Sequence, residues 1–195
     1  KDTPHTLILA ETPQATVEQV DVAFAGADLL PGEVNNARSA AMLVSTMPPI
    51  ADVRITMEID LHAALYRAAY QSNVGDFTRH FLLEPARDQT GYTIDLPERE
   101  FRLRVLAALN DLNVPVAWAG PMTATAVSEG EMFPGTGDLV TRLRIRIMRR
   151  IDEQAMVLGE VADLTPHVGS SRQGVTATWD GAAWNIQRDP VRLFW

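Results

Sequence analysis

Leu139, Leu143, Ile145 and Ile147 share one parity, and Arg142, Arg144 and Arg146 occupy the other. A helix cannot sort residues this way, because 3.6 residues per turn mixes both sets around its axis, whereas a strand sends successive side chains to opposite faces. The run is therefore expected to be a long strand with one face in a core. The return run carries Ala155, Val157 and Val161 on one parity. A three-residue loop at Asp152, Glu153 and Gln154 aligns them with the apolar side of the partner strand and sets Arg146 opposite Glu160. A slip by one residue would turn the valines outward.

Asp180-Gly181 is the strongest hairpin signal, because a type I′ turn needs positive φ at both central positions. A two-residue loop there puts Val175, Ala177, Trp179, Ala182, Trp184 and Ile186 on one face, with Thr176, Thr178 and Asn185 on the other. The chain closes on Val191-Arg192-Leu193-Phe194-Trp195, unusually apolar for an end, which reads as a last strand or a contact with another subunit. The part after Pro115 is thus an antiparallel meander, opened by Val116 and Trp118 and interrupted by a Gly/Pro-rich loop near residues 128–138.

Helices are expected mainly before it. After an apolar run at Leu7-Ile8-Leu9, Val17, Val20 and Phe24 suit a helix over 15–25 capped by Thr16, and Val34, Ala37, Ala41 and Val44 suit another over 33–46. Val53, Ile55, Met57 and Ile59 alternate with Arg54, Thr56 and Glu58, which predicts a strand. Asp60 then caps a helix striped by Leu61, Ala64, Leu65, Ala68 and Ala69. The runs 79–84 and 92–96, around Asp88-Gln89-Thr90-Gly91, predict a hairpin whose first run Pro85 makes an edge or a short strand. Pro97 opens the clearest helix, with Phe101, Val105, Leu109 and Leu112 on one face and i,i+4 pairs Glu98–Arg102 and Glu100–Arg104.

The expected class is α+β: residues 1–14 as an N-terminal extension and residues 15–195 as one domain, with helices packed on a C-terminal antiparallel β-meander. The arrangement is similar to that of cone-shaped NTF2-like and cystatin-like domains, a likeness of pattern over about the last 80 residues that implies no function.

At 195 residues and 46% apolar content the chain can bury a core without staples. Having no cysteine, it excludes thiolate-ligated zinc, iron–sulfur clusters and cysteine nucleophiles. A net charge of −8 argues against nucleic acid as a partner, since phosphate-backbone binders need surplus Lys and Arg. The charge is uneven, for residues 139–195 hold eight Arg against six acids and residues 1–138 hold nine basic against nineteen acidic residues. No apolar run approaches the roughly 20 residues of a membrane-spanning helix. Membrane association is expected only through an anchor upstream of Lys1, and an envelope or periplasmic location is the corresponding expectation.

P-loop, dinucleotide, zincin and EF-hand fingerprints are missing, so no cofactor or metal is expected. The stretch Gly169–Gly174 lacks the second glycine of a nucleophile elbow, where Gln173 stands, and reads as a turn that with Arg172 offers an anion site. His80 is the candidate general base, oriented by Asp95 across the hairpin, and Tyr66 is a further catalytic candidate. A surface or structural histidine and an acid at a helix start account for the first two without catalysis. The row Arg142, Arg144, Arg146, extended by Arg149 and Arg150, calls for acids on neighbouring strands or an anionic partner. Met132 and Phe133 offer a docking tip or a loop anchor, and Trp118, Trp179, Trp184 and Trp195 either line a cavity or pack as core.

The leading expectation is a non-enzymatic accessory or assembly protein. It would meet a protein partner or a second copy through Arg142, Arg144, Arg146, Met132, Phe133, Arg172 and Trp195. The alternative is a small-molecule-binding or hydrolytic enzyme with a pocket between helix 98–112 and the sheet, using His80, Asp95 or Tyr66. A third expectation is an anion-binding module built on Arg142, Arg144 or Arg172.

Overall fold

The computed structural model describes residues 36–72, 80–112, 114, 116–118, 140–152, 155–165 and 169–194. The expected elements at 7–9 and 15–25, the loop 128–138 with Met132 and Phe133, and Trp195 lie outside the described residues. Among the described residues the α-helices are α1 (Asn36–Val44), α2 (Val53–Ser72) and α3 (Glu98–Ala108). The strands are β1 (His80–Leu83), β2 (Arg87–Asp88), β3 (Val116–Trp118), β4 (Val140–Ile151), β5 (Met156–Thr165), β6 (Gly169–Trp179) and β7 (Trp184–Phe194). They form one sheet in the order β3-β1-β4-β5-β6-β7, with β2 also on β4. β4 to β7 make the antiparallel meander, while β1 runs parallel to β3 and β4, and β2 runs parallel to β4. The fold is α+β with a mixed, mostly antiparallel sheet placed C-terminally.

Leu143, Ile145 and Ile147 are fully buried, facing α2, and join Val157, Val161, Val175 and Ala177 of the neighbouring strands in the core. Arg146 does stand opposite Glu160, yet the turn is longer than three residues: Ile151 pairs with Met156. A β-bulge between Ile147 and Arg149 absorbs the extra residue, so the register beyond it is the expected one. The second hairpin shows a similar compensation. Trp179 pairs with Trp184 across a four-residue loop rather than two, because the Asp180 carboxylate accepts the Ala182 and Ala183 amides, both at 2.9 Å, and Gly181 takes φ +100°. The slip of two residues preserves parity, so both tryptophans keep the same face.

Three segments depart from the expected secondary structure. Residues 53–59 are the first turns of α2, not a strand, and Asp60 lies inside that helix rather than at its start. The cap is Asp52, whose carboxylate accepts the Arg54 amide at 2.8 Å. Val53 and Met57 had supplied half of the alternation, but Val53 is exposed; the buried set includes Ile55, Glu58, Ile59, His62, Leu65, Tyr66 and Ala69, a helical stripe that includes two polar residues.

The hairpin of 79–84 with 92–96 is also absent. β1 is sandwiched between β3 and β4, with Phe81, Leu82 and Leu83 all buried, the continuous apolar run of a parallel strand covered on both faces. Asp88 meanwhile turns the chain locally by accepting the Thr90 amide at 2.7 Å. Gly169–Gly174, expected as a turn, is regular β6 pairing with β5. α1 and α3 match their expected positions, and both i,i+4 pairs on α3 form.

Gly159 sits opposite Ile147 beside the bulge, and a Cβ there would lie 2.5 Å from the Arg146 carbonyl oxygen, a backbone atom of a central strand. At Gly174 the obstacle is only the carboxylate end of Asp189. Gly159→Ala is expected to lower the unfolding free energy by about 1–3 kcal/mol in urea denaturation, and Gly174→Ala by clearly less. Equal costs would refute this account of the bulge.

Candidate functional site

The bulge decides where the charged groups meet. Before it, odd residues of β4 face the core and even residues, the arginines, face away; the extra residue inverts the parity, so Arg150 pairs with buried Val157 on the core face. Arg150 is therefore not an extension of the arginine row but lies on the opposite side of the sheet. There it meets Glu58 of α2 in a bidentate pair, Nη1 to Oε2 at 2.8 Å and Nη2 to Oε1 at 2.7 Å. Nη2 and Nε also donate to Asp88 Oδ2, at 2.6 and 3.2 Å, and the guanidinium stacks 4.3 Å from the Tyr92 ring centroid. The Glu58 and Arg150 side chains are each 7% exposed.

One helical turn beyond Glu58, His62 donates or accepts at 3.0 Å through Nε2 to Glu58 Oε1, and its ring meets the edge of Phe101 at 4.9 Å. Its second nitrogen, Nδ1, is buried and has no hydrogen-bond partner among the described residues. Burial pushes the Glu58 carboxyl up, but hydrogen bonds from His62 and Arg150 outweigh it, holding the carboxyl below its ordinary range. Glu58 is thus ionised at neutral pH and accepts a hydrogen bond from His62 Nε2–H.

Glu58, His62 and Asp88 line a cleft of about 430 Å³ between α2, the start of α3 and the segment 86–96, whose walls include Ala86, Tyr92, Ile94, Leu96 and Phe101. It lies at the N-terminal end of α3, not between the length of that helix and the sheet. A second, apolar cleft of about 570 Å³ runs between α1, α2 and α3 beside Ile50, Ile59 and Arg104. Among the described residues no group of three or more His, Asp or Glu is placed to hold a metal ion, and no helix is long and apolar enough to cross a membrane.

The expected catalytic residues do not assemble. Tyr66 is fully buried, its hydroxyl donating to the Glu84 carbonyl and its ring edge-on to Trp118, and burial drives its ionisation far above the ordinary phenol value. Asp95 is exposed in a non-strand segment, and His80 begins β1 opposite Val140, so the strand pairing that was to join them is missing. The arginine row meets carboxylates of this chain: Arg144 pairs with Glu84 at 2.6 and 3.0 Å, Arg142 lies 3.6 Å from the same group, and Arg146 and Arg172 approach Glu160 at 3.3 and 3.7 Å.

Glu84→Gln is expected to cost about 1.5–3 kcal/mol, because its carboxylate is 15% exposed and serves two arginines. The more open Glu160→Gln should cost no more than about 1 kcal/mol, and urea titrations that reverse this order would refute the ranking. Trp118 and Trp184 are tied by their indole N–H groups to the Arg102 and Met57 carbonyls, 3.0 and 2.8 Å away, and neither cleft is lined by a tryptophan.

Glu58, His62, Asp88 and Arg150 as a group escaped the sequence reading. The available signal is the i,i+4 spacing of Glu58 and His62, masked by the alternation over 53–59 that predicts a strand ending between them. Comparison with protein-family models, curated proteins and solved structures finds no match.

Proposed function

We propose that the protein is a non-enzymatic binding protein whose recognition site is the cleft over Glu58, His62, Asp88 and Arg150. The observation that supports it is a cleft of ligand size whose lining combines the apolar side chains of Ala86, Ile94, Leu96 and Phe101 with the carboxylates of Glu58 and Asp88. Proton-transfer chemistry fits the site poorly. Glu58 is held below the ordinary carboxylate range by its partners, which weakens it as a general base at neutral pH. Arg150 stays charged throughout.

A nitrogen-15 NMR screen with a chemically diverse fragment library tests the reading. Shifts are expected to concentrate on Glu58, His62, Asp88, Tyr92–Leu96 and Phe101. A library that leaves those resonances unmoved would sink it.

A second reading, assembly through protein contacts, has its own observation: β7 is an edge of the described sheet and exposes Val191 and Leu193. It predicts self-association in analytical ultracentrifugation that Leu193→Lys abolishes. A monomer at all concentrations tested would remove the second-copy form of this reading.

A further inference from the structure

We infer that the apolar cleft between α1, α2 and α3 is the seat of this chain's own N-terminal segment, residues 15–25, docked as an amphipathic helix. The surface is independent of the cleft over Glu58. Its volume is about 570 Å³, and its walls include Ala41 and Val44 of α1, Ile50, Ile59 of α2, and Ala107 and Ala108 of α3. Val44, Ile50, Ala107 and Ala108 pack against the core yet are only partly buried. A groove of this kind gains from any apolar helix face that removes it from water.

The sequence names the occupant. Val17, Val20 and Phe24 recur at i, i+3 and i+7, one stripe of a helix that matches an apolar wall. Charge agrees with it. Residues 11–28 carry Glu11, Glu18, Asp21 and Asp28 and no Lys or Arg. Among the described residues the lining holds one charged group, Arg104, which pairs with Glu100 at 2.8 Å, and no acid. Arg38, exposed on α1, shares a helix face with Ala41 and Ser45 of the lining. Asp21, four residues after Val17 and three before Phe24, lies at the flank of the stripe, where a cation at the groove edge attracts it.

The chain also reaches. The segment lies outside the described residues, which begin at Asn36, the first residue of α1. Ala41 is only about 7.5 Å further along that helix. Residues 26–35 join Ala25 to Asn36 and would span roughly 33 Å if extended. Gly26, Pro31 and Gly32 are breakers that let the chain double back onto α1.

Because the chain has no cysteine, one introduced cysteine carries a nitroxide to a chosen place in the full-length protein. Gln19→Cys lies off the stripe. Its label is expected to erase most of the amide NMR signal of Thr56, Ala107 and Ala108, which belong to α2 and α3, and far less along β6. Phe24→Asp in the labelled protein should restore those signals, and so should Ala107→Leu at Thr56 and Ala108, by filling the groove from its other wall. If the leucine variant fails to fold, Phe24→Asp decides alone. Retention of the three signals in the labelled chain, or a loss that Phe24→Asp leaves unchanged, would overturn the inference. A mixture of nitroxide-labelled protein with nitrogen-15 protein lacking the label tests for a second copy: signal loss in that mixture would give the groove to another molecule and overturn it likewise.

Discussion

Arg150→Met is expected to lower the unfolding free energy by about 3–5 kcal/mol, the largest loss of any single charged residue described here, because it strands two carboxylates that folding has desolvated. Glu58 is 7% exposed and Asp88 19%, so neither recovers its hydration when the guanidinium goes. Urea denaturation at pH 7 measures the effect, and a loss under about 1 kcal/mol would show that water already reaches these groups.

The companion is the double variant Glu58→Gln with Arg150→Met. It should recover part of the loss, since it removes the more deeply buried of the two stranded carboxylates and leaves Asp88. The acid side carries the same signature. Glu58 has a folded-state value below its unfolded one, so its contribution is fully present above the unfolded value and disappears as pH falls through the folded value. Wild-type stability should therefore decline from about pH 5 downward, and Arg150→Met should flatten that part of the profile.

Tyr66→Ala should cost about 3–5 kcal/mol, whereas Tyr66→Phe should cost about 1 kcal/mol. The aromatic body fills a fully buried site against Trp118, while the hydroxyl makes a single hydrogen bond to the Glu84 carbonyl. The contrast separates structure from chemistry. A residue acting as proton donor or nucleophile would lose its role with the oxygen alone, leaving stability nearly intact; here the loss follows the ring. Thermal unfolding of both variants checks the order, and a Phe variant as unstable as the Ala variant would refute it.

Where the sequence pattern and one physical period coincide, the structure is legible in advance. The meander from β4 to β7, the pairing of Arg146 with Glu160, helix α3 and its two ion pairs follow from alternation, turn residues and i,i+4 spacing. Misreading came where two periods fitted the same letters. Val53, Ile55, Met57 and Ile59 satisfy a period of two, yet Ile55, Ile59 and their successors also satisfy a helix, and the longer pattern prevails because it extends through Tyr66 and Ala69 into the core. The parallel pairing of β1 was invisible for another reason: its partners, Val116–Trp118 and Val140–Leu143, lie more than thirty residues away, beyond any local turn signal.

The sequence by itself determined the α+β class, the exclusion of cysteine chemistry and the faces of the long strands, because parity and composition are local properties. Only the tertiary structure decided the candidate site. One bulged residue moves Arg150 to the helix-facing side of the sheet, where it joins Glu58 from ninety-two positions earlier and Asp88 from sixty-two. The arginine row that dominated the primary pattern meets Glu84 and Glu160 of its own chain. Charges at such separations find one another only after the core has fixed the distance between helix and sheet.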